Sequence, residues 1–360
     1  MIRTLDADLL EAWDALALAT GAPVFARPGW LRAWATAFGR LDDLRALTVH
    51  RGGELVAVLP VVGGRAAVRT PVNSETAMIV PVVADGDAAA ELAQLLLARR
   101  AGVVDLDAVL ADDPLTTQVR RTRNPVHATV RCRSPYVDTS GEVDAYLATL
   151  SKSRRKEVRR RERRLEEMGE LTFEMDHGTG DDLGARLEEG FRLEAREWKL
   201  AAGSAIVSSP ARVAFYTAGA RWAAEQGVLR LAALRVDGHA FASGYCLEQS
   251  GTLHFLKLGM DDAYAKYGPG LMINLRMIEH AFARSDLDTF DMLGEFEPYK
   301  ADLTGTVREQ HRLRVYPTPV VGGVQRAATA AAGDLRRAVV ARLSAPTRER
   351  LLAIKNRLQR

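Results

Sequence analysis

Residues 229–244 read LRLAALRVDGHAFASG, and residues 44–59 read LRALTVHRGGELVAVL. In each stretch, two apolar runs rich in β-forming residues flank a short turn that contains glycine. The turn is Asp-Gly in the first stretch and Gly-Gly in the second. Glycine accepts the positive φ that tight turns require, so both stretches predict β-hairpins.

The two hairpins open an internal repeat. Each is followed in the same order by a further strand candidate, an apolar helix and a short buried strand, VVDLDAVL in the first copy and LDTFDML in the second. Gly53 and Asp105 are 52 residues apart (105 − 53), and Gly238 and Asp291 are 53 apart (291 − 238). Matching order and spacing predict two homologous units of mixed α/β (α+β) structure.

Composition limits the class of protein. The chain has 360 residues, 47% hydrophobic and 26% charged, enough for two globular domains and an extension. No apolar run reaches the about 18 residues of a membrane span, and the N-terminus lacks the apolar core of a secretory signal. Cys132 and Cys246 fit no motif and the seven histidines show no zinc spacing. We therefore expect a cytoplasmic protein without integral membrane association, disulfides or a metal.

The chain is expected to divide into three parts. Residues 134–141 (SPYVDTSG) carry turn chemistry typical of a linker, which predicts domains at 1–140 and 141–317. From 318 to 360 the composition changes to Ala, Arg and Leu, predicting a basic tail of two amphipathic helices, about 322–343 and 346–359. We expect this tail to dock on the body or on a second copy in a homodimer rather than on a membrane.

A basic segment opens the second domain. Residues 152–164 (KSRRKEVRRRERR) hold nine basic side chains in thirteen positions, after a helix expected to be capped around Ser140. Val158, Leu165 and Met168 share one helical face, so this helix can dock while the rest of its surface stays charged. Glutamates at i,i+4 spacing favour a self-paired, solvated helix, whereas the basic excess leaves binding of nucleic acid or a membrane surface open. Residues 191–202 (FRLEAREWKLAA) predict another amphipathic helix.

The segment after the third strand of the second copy is a candidate anion site. Residues 252–258 (TLHFLKL) predict a strand, residues 259–270 (GMDDAYAKYGPG) a loop, and Leu271 opens an apolar helix. Unpaired N–H groups and the positive end of a helix dipole then meet at one place, the geometry that binds phosphate. Glycines let the backbone approach the anion, and proline pre-sets φ. An ordinary loop is the alternative.

These segments carry a family resemblance. Residues 264–281 (YAKYGPGLMINLRMIEHA) and 287–300 (LDTFDMLGEFEPYK) resemble the C-terminal half of the CelD-like GNAT (Gcn5-related N-acetyltransferase) proteins. The basic helix, FRLEAREWKLAAG and FARPGWLRAWATAFG near the N-terminus are similar to further parts of that family. The resemblance covers about residues 20–317. Phe296 departs from it, since the family often has Asp before Glu-Pro-Tyr-Lys.

The resemblance implies tandem GNAT domains and an acetyl-CoA or other acyl-CoA donor, without a metal. An amine of a small molecule or an amino sugar would attack the thioester directly, and backbone N–H groups would stabilise the oxyanion. The family places the pyrophosphate on the loop backbone and the pantetheine along the preceding strand. The implied donor-binding residues are Leu258, Gly259, Met260, Tyr267, Gly268, Pro269, Gly270 and Leu271.

The first copy lacks such a loop. Its equivalent stretch, residues 82–90 (VVADGDAAA), carries Asp85 and Asp87, which would repel a pyrophosphate at close range. We therefore expect the 141–317 domain to be catalytic and the 1–140 domain to wall the acceptor cleft.

Candidate acid, base and acceptor-binding residues lie in the second domain. Tyr299 is a candidate acid for the leaving thiolate, with packing of its ring as the alternative. Glu295 and Glu297 are candidate bases, with simple solvation as the alternative. His254 is expected to be a core histidine, and Asp291 a strand-end residue without a special role. The candidates for the acceptor pocket are Glu194, Trp198 and Lys199, with core packing as the alternative for Trp198.

Two alternatives to an acyl-CoA-dependent N-acyltransferase remain. Fem-type aminoacyl transferases share the tandem architecture and use aminoacyl-tRNA, for which the basic helix would be apt. The long helical-hairpin insertion of that family has no room here. The other alternative is a non-catalytic binding or scaffold protein attached through its Arg-rich segments, although no aromatic residues interleave for base stacking.

Overall fold

The computed structural model describes residues 2–64, 67–98 and 102–317. The strands, numbered in chain order, are β1 (Ile2–Arg3), β2 (Arg45–Arg51), β3 (Glu54–Gly63), β4 (Ala67–Arg69), β5 (Val82–Val83), β6 (Val103–Leu110), β7 (Val126–Asp138), β8 (Leu171–Asp176), β9 (Leu229–Val236), β10 (His239–Gln249), β11 (Thr252–Met260), β12 (Thr289–Asp291) and β13 (Val307–Val315). The α-helices are α1 (Ala7–Ala19), α2 (Pro28–Ala37), α3 (Gly86–Leu97), α4 (Pro114–Arg120), α5 (Val143–Thr149), α6 (Lys152–Glu166), α7 (Leu183–Glu194), α8 (Glu197–Ala201), α9 (Pro210–Glu225), α10 (Pro269–Phe282) and α11 (Pro298–Ala301).

The chain forms two compact units whose segments interleave along the sequence. Among the described residues, the first unit contains residues 2–28, 40–131 and 309–317, and the second contains 29–39 and 132–308. The second unit therefore takes a short early segment, and the first takes a late one. The domain boundaries at 140 and 317 stay a prediction.

The first unit is built around the predicted hairpin. β2 pairs antiparallel with β3, with Leu47 opposite Leu59. β3 pairs antiparallel with β4, α3 follows, and β6 returns parallel to β4 with Val68 opposite Val104. β13 lies antiparallel on β6. Because α3 connects the parallel strands, its apolar face, including Leu92, is buried against them.

The second unit repeats this order of pairing. β9 and β10 form the hairpin at Asp237-Gly238, and β11 pairs antiparallel with β10. α10 follows, β12 returns parallel to β11, and β7 lies antiparallel on β12. β8 covers the other side of β9. Hairpin, third strand, crossover helix and parallel strand occur in the same sequence in both units, which is a mixed α/β fold with an internal repeat.

α10 anchors the core beneath the candidate site. Its apolar residues Met272, Met277 and Ile278 are at most 2% exposed and pack against strands of the second unit. Each such side chain contributes about 1.5–3 kcal/mol when it is buried. The N-terminal end of α10 is thereby held at a fixed position beside β11.

Several local predictions were wrong. α5 begins after Glu142, and the Ser140 hydroxyl instead donates to Asp138 at 2.6 Å, in a local turn. The single helix expected over residues 191–202 is two helices, α7 and α8, which break at Ala195 and Arg196. The strand before the anion loop extends to Met260, and α10 begins at Pro269 rather than Leu271.

α6 docks through a narrower face than the sequence suggested. Leu165 is fully buried, and Val158 packs partly buried against the same core. Met168 lies beyond the helical residues of α6 and is 45% exposed, so its predicted place on the docking face was wrong. The helix thus leaves most of its basic circumference at the surface.

The predicted tail helices lie outside the described residues, and the homodimer stays a prediction. Among the residues that are described, no helix is both long enough and apolar enough to cross a bilayer.

Candidate active site

The beginning of α10 has the backbone geometry expected of an anion site. A short 3-10 helix, residues 262–267, follows β11 and ends at Gly268, whose φ is +62°. Pro269 occupies the first helical position, where its missing N–H is no loss. The N–H groups of Gly270 and Leu271 belong to the first turn, where helices have no internal acceptors. Two donors and the positive helix end therefore meet there.

An arginine from α6 lies over this helix start. The positive φ of Gly268 favours glycine, and an added Cβ would displace the guanidinium of Arg161 from its place beside the helix start. A guanidinium beside free N–H groups at a helix N-terminus adds a full positive charge to the partial charge of the helix. Arg161 was not singled out by the sequence.

A chain of ion pairs holds Arg161 in place. Glu157 bonds both Arg161 and Arg154 on α6, and Arg154 reaches on to Asp302, just after α11. The position of Arg161 is therefore set by a series of ion pairs that reaches from α6 to the end of α11. The next residue, Glu162, pairs with Arg276 and connects α6 to α10.

Gly270 also has a packing role, and its predicted close approach to an anion stays a prediction. A Cβ at Gly270 would lie 2.8 Å from Sδ of Met260 and 3.2 Å from Cδ2 of Leu258. Its missing side chain therefore lets α10 pack closely on β11.

β11 and β12 separate at the centre of the second unit. They pair in parallel only from Thr252 to His254, which lies opposite Asp291. β12 ends there, whereas β11 continues to Met260. From Phe255 onward, β12 therefore does not cover the edge of β11 that faces away from β10. An extended ligand can add to such an edge by main-chain hydrogen bonds.

A buried ion pair reaches this open stretch of β11. Nζ of Lys199 donates to Oε1 of Glu194 at 2.9 Å and to the carbonyl oxygen of Leu258 at 3.0 Å. Oε2 of Glu194 accepts from the N–H of Ile206 at 2.8 Å. Burial lowers the pKa of Lys199, although the Glu194 charge opposes that shift. Glu194 and Lys199, which were predicted to line the acceptor pocket, thus lie beside Leu258, which was predicted to bind the donor.

Gly259 allows this meeting. A Cβ there would lie 2.9 Å from the backbone nitrogen of Glu194 and 2.9 Å from Cβ of Leu193, and would collide with the Ser243 hydroxyl. The C-terminal end of α7 therefore rests directly on β11. Gly259 is needed for close packing, a role that the sequence did not indicate.

Two cavities flank α7. A narrow one of about 40 Å³ lies between α7 and strands β9–β11, and Glu194, Lys257 and Gly259 line it. A wider one of about 790 Å³ runs along α7 toward α9, with mostly apolar walls. Leu187, Glu189 and Phe191 line both. An acceptor in the wider cavity would therefore have a short way to β11.

Asp291, expected to have no special role, is a fully buried centre of polar contacts. Its Oδ1 accepts from the N–H of Leu293 at 2.9 Å and from the Ser134 hydroxyl at 3.3 Å. Its Oδ2 accepts from Arg308 at 2.7 Å and lies 3.8 Å from Nδ1 of His254. These contacts fix the point at which the strands separate.

His254 should make the protein sensitive to acid. The residue is 2% exposed, as expected for a core histidine, and burial lowers its pKa to about 4 from 6.5. Between pH 6.5 and pH 4 the unfolded chain binds a proton at this histidine and the folded chain does not. The stability that is present above pH 6.5 is therefore lost as the pH falls toward 4. We expect about 2 kcal/mol to be lost between pH 7 and pH 5. His254→Gln should flatten this part of a urea-denaturation pH profile, and an unchanged slope would contradict the expectation.

Lys300, from the Glu-Pro-Tyr-Lys motif, organises the loop after β12. Its Nζ donates to the carbonyl oxygens of Leu293 at 2.6 Å and Glu295 at 3.1 Å, and burial lowers its pKa. Leu293 and Gly294 both have positive φ, 49° and 63°. A buried cation therefore compensates for the carbonyls of a tightly turned loop.

The predicted acid and base residues lie on this loop and its helix. Glu295, Glu297 and Tyr299 are exposed as whole side chains. Partial desolvation of the phenol oxygen and the nearby charge of Glu297 raise the pKa of Tyr299. In the described part of the chain, no hydrogen bond connects these three side chains with β11. Their roles stay predictions. The side chain of Trp198 lies outside the described residues.

A third cavity marks the outer face of α6. It measures about 510 Å³, and the described residues that line it are all basic: Lys152, Arg155, Lys156, Arg159, Arg160 and Arg163. Across residues 2–64, 67–98 and 102–317, no group of His, Cys, Asp or Glu side chains could hold a metal.

The helix start of the first unit is already occupied by its own side chains. Asp85 caps α3 by accepting from the N–H of Ala88 at 2.7 Å, and Arg51 pairs with Asp85 at 2.8 Å. The hydrogen bond from Arg51 lowers the pKa of Asp85 and keeps it charged. The charged carboxylate of Asp85 would therefore repel a phosphate at the start of α3.

Comparison with known proteins gives a family for the second half. The model of a family described as acetyltransferase (GNAT) domain matches residues 152–301, which include α6, the open edge of β11 and α10. No curated protein matches the chain.

Three solved structures show the same fold. One is a conserved protein of unknown function from Bacteroides thetaiotaomicron (TM-score 0.58, 14% identity, covering 88% of this chain and 99% of that one). Another is the C-terminal domain of a putative lysylphosphatidylglycerol synthetase from Agrobacterium fabrum (TM-score 0.54, 13% identity, covering 90% of this chain and 96% of that one). The third is FemX (TM-score 0.54, 12% identity, covering 87% of this chain and 96% of that one). Residues 152–301 therefore match the acetyltransferase (GNAT) domain family, and the three structures show that the chain shares their fold.

Proposed function

We propose that this protein is an acyltransferase that moves an acetyl or other acyl group from acyl-CoA to an amine of a small molecule or amino sugar. The observation that carries the proposal is the open edge of β11, which leads from His254 to the first turn of α10. Pantetheine, with its amide groups, can pair along the edge. The pyrophosphate then meets the N–H groups of the helix and the charge of Arg161.

The acceptor is proposed to reach β11 from the face that α7 covers. Side chains of Leu258 and Met260 face α10, whereas Gly259 faces α7, since neighbouring strand residues point to opposite sides. The two cavities along α7 lie on that second face. The ion pair of Glu194 and Lys199 lies where this path reaches β11. Direct attack then needs only a base for the amine and an acid for the thiolate.

We propose only one donor site in the chain. The carboxylate of Asp85 already caps α3 in the first unit, which supports a structural role for the predicted 1–140 domain. Buried free thiols at Cys132 and Cys246 are consistent with the cytoplasmic location that we propose.

Arg161→Gln is expected to weaken acetyl-CoA binding about tenfold. A hydrogen bond to a charged group contributes about 1.5–3 kcal/mol, and tenfold in affinity corresponds to about 1.4 kcal/mol. Isothermal titration of acetyl-CoA into the full chain measures the effect. Arg163→Gln is the matched control, because Arg163 is 69% exposed on the same helix and lines the outer cavity. Equal affinity in wild type and Arg161→Gln would place the pyrophosphate elsewhere.

A second candidate is amide-bond formation from aminoacyl-tRNA. The basic cavity on the outer face of α6 favours it, and two structures of the same fold are named FemX and a putative lysylphosphatidylglycerol synthetase. Against it, α6 ends at Glu166 and β8 begins at Leu171, which leaves no room there for a helical-hairpin insertion.

The same pair of variants distinguishes the donors. If the donor is tRNA-borne, Arg163→Gln should weaken tRNA binding in a filter assay, and more so at low salt, while acetyl-CoA gives no titration signal. If neither acetyl-CoA nor tRNA binds the wild-type chain, the non-catalytic scaffold becomes the better interpretation.

A further inference from the structure

Lys199 has an unusual setting for a lysine. Its Nζ is held between a carboxylate oxygen of Glu194, 2.9 Å away, and the carbonyl oxygen of Leu258, 3.0 Å away. Its own carbonyl oxygen accepts from the N–H of Ser204 at 2.8 Å, which anchors the backbone from which the side chain extends. A primary amine is thereby fixed at the open edge of β11.

The partner carboxylate is equally fixed. Glu194 is 2% exposed, and its second oxygen accepts from the N–H of Ile206 at 2.8 Å. The side chain of Lys199 is 16% exposed, so the pair is largely shielded from water. Burial lowers the pKa of this amine, which increases the share of the neutral, nucleophilic form.

We propose that Lys199 is itself an acyl acceptor, modified by the chain's own active site with Glu194 taking up the proton. The inference rests on the proposed function, because the acyl-CoA thioester is to lie along the β11 edge that Lys199 touches. Glu194 accepts a proton from the ammonium, and the nitrogen lone pair attacks the thioester carbonyl. The new N–C bond forms as the C–S bond breaks. The second nitrogen proton leaves to solvent, and the CoA thiolate takes a proton.

The modification would switch the site off. An amide nitrogen carries no charge, so Glu194 would lose its cation in a buried place, which is costly. The added acyl group would also occupy space beside Leu258 on the edge where the donor must pair. Amides are far less reactive than thioesters, so the acyl group would stay on Lys199. Prolonged exposure to donor without an acceptor amine would therefore inactivate the protein.

The test is to incubate the full chain with acetyl-CoA and no acceptor amine, and to follow each lysine by peptide mass spectrometry. The chain supplies matched controls. Lys257 lines the same narrow cavity, where its Nζ lies 5.2 Å from the centroid of the Tyr216 ring. Lys152 and Lys156 line the outer cavity of α6 and report uncatalysed acetylation of exposed amines. Urea-unfolded chain shows the rate without the fold.

We expect Lys199 to approach one acetyl group per chain while the control lysines stay near the unfolded rate. Glu194→Gln should slow this labelling about a hundredfold, the usual contribution of a positioned base. Because that variant also changes a buried contact, Lys199→Arg provides a second measurement: the total number of acetyl groups on the folded chain should fall by the one assigned to Lys199, while the control lysines keep their rates.

Labelling of Lys199 no faster than that of Lys152 overturns the inference. Titration of acetyl-CoA into the same samples separates the two proposals. If the donor binds and Lys199 stays unlabelled, only self-acylation is wrong. If the donor does not bind and Lys199 stays unlabelled, the proposed function is wrong as well.

Discussion

Gly259→Ala is expected to destabilise the protein by about 1–3 kcal/mol, the cost of overpacking a close contact. The new Cβ would lie 2.9 Å from the backbone nitrogen of Glu194, which cannot rotate away as a side chain could. The end of α7 must therefore shift, and Glu194 with it. A displacement of about 1 Å at a reacting centre can reduce turnover about a hundredfold. Thermal denaturation and turnover with an amine acceptor measure the two effects.

Gly190→Ala is the matched control for stability. Gly190 lies within α7 and close to the same serine, but its added Cβ would meet only Oγ of Ser243, at the comfortable distance of 3.8 Å. Alanine in a helix interior is favoured over glycine by about 0.5–1 kcal/mol, so this variant should be as stable as wild type or more so. If Gly259→Ala matched Gly190→Ala in stability, the contact between α7 and β11 would be looser than described.

Asp291→Ala should cost about 3 kcal/mol, the lower end of the range for breaking a buried ion pair. The lower end applies because the Arg308 side chain is 28% exposed and can recover some hydration. The substitution also leaves the N–H of Leu293 and the Ser134 hydroxyl without their acceptor. Urea denaturation measures the loss of unfolding free energy.

Asp291→Asn separates the charge from the hydrogen bonds. The amide oxygen can still accept from Leu293 and Ser134. Asp291→Asn should therefore lose clearly less unfolding free energy than Asp291→Ala. In an Asp291→Asn, Arg308→Gln double variant, the two losses should be less than additive, since the partners share one interaction. Additive losses would mean that Arg308 does not stabilise the strand ends through Asp291.

The repeat could be predicted because its signals are local. Asp-Gly and Gly-Gly turns between apolar runs determine a hairpin without reference to the rest of the chain. Apolar spacing likewise indicated α10, and the positive φ of Gly268 matches the role expected of a glycine before the helix. The break between α7 and α8 carries no such signal, because Ala195 and Arg196 are ordinary helix formers. Tertiary contacts, rather than propensity, end α7.

The candidate site was only partly predictable. The anion loop could be found because phosphate binding uses backbone groups, whose geometry follows from glycine, proline and a helix start. The contact of Arg161 with Gly268 joins residues that are far apart in sequence, and one arginine among many gave no reason to choose it. Because the segment contains many arginines, the sequence did not show which of them contacts the loop.

Asp291 shows a signal that the sequence did contain. An aspartate inside a buried strand must have partners, because an unpaired buried charge is very costly. The residue type and position therefore indicated a polar network. Its partners, Ser134 and Arg308, are set by how strand β7, strand β12 and the beginning of β13 come together, which only the structure shows.

The interleaving of the two units has a consequence for synthesis on the ribosome. Trp30 and Trp34, made early, are buried in the second unit, where the Trp30 and Phe215 ring centroids are 4.9 Å apart. Leu313 and Val315, made late, are buried in the core of the first unit. The first unit cannot complete its core until β13, the last of the described strands, has left the exit tunnel. Folding of the first unit is therefore expected to wait until nearly all of the second unit has been synthesised, and chaperones would meet its incomplete sheet during that time.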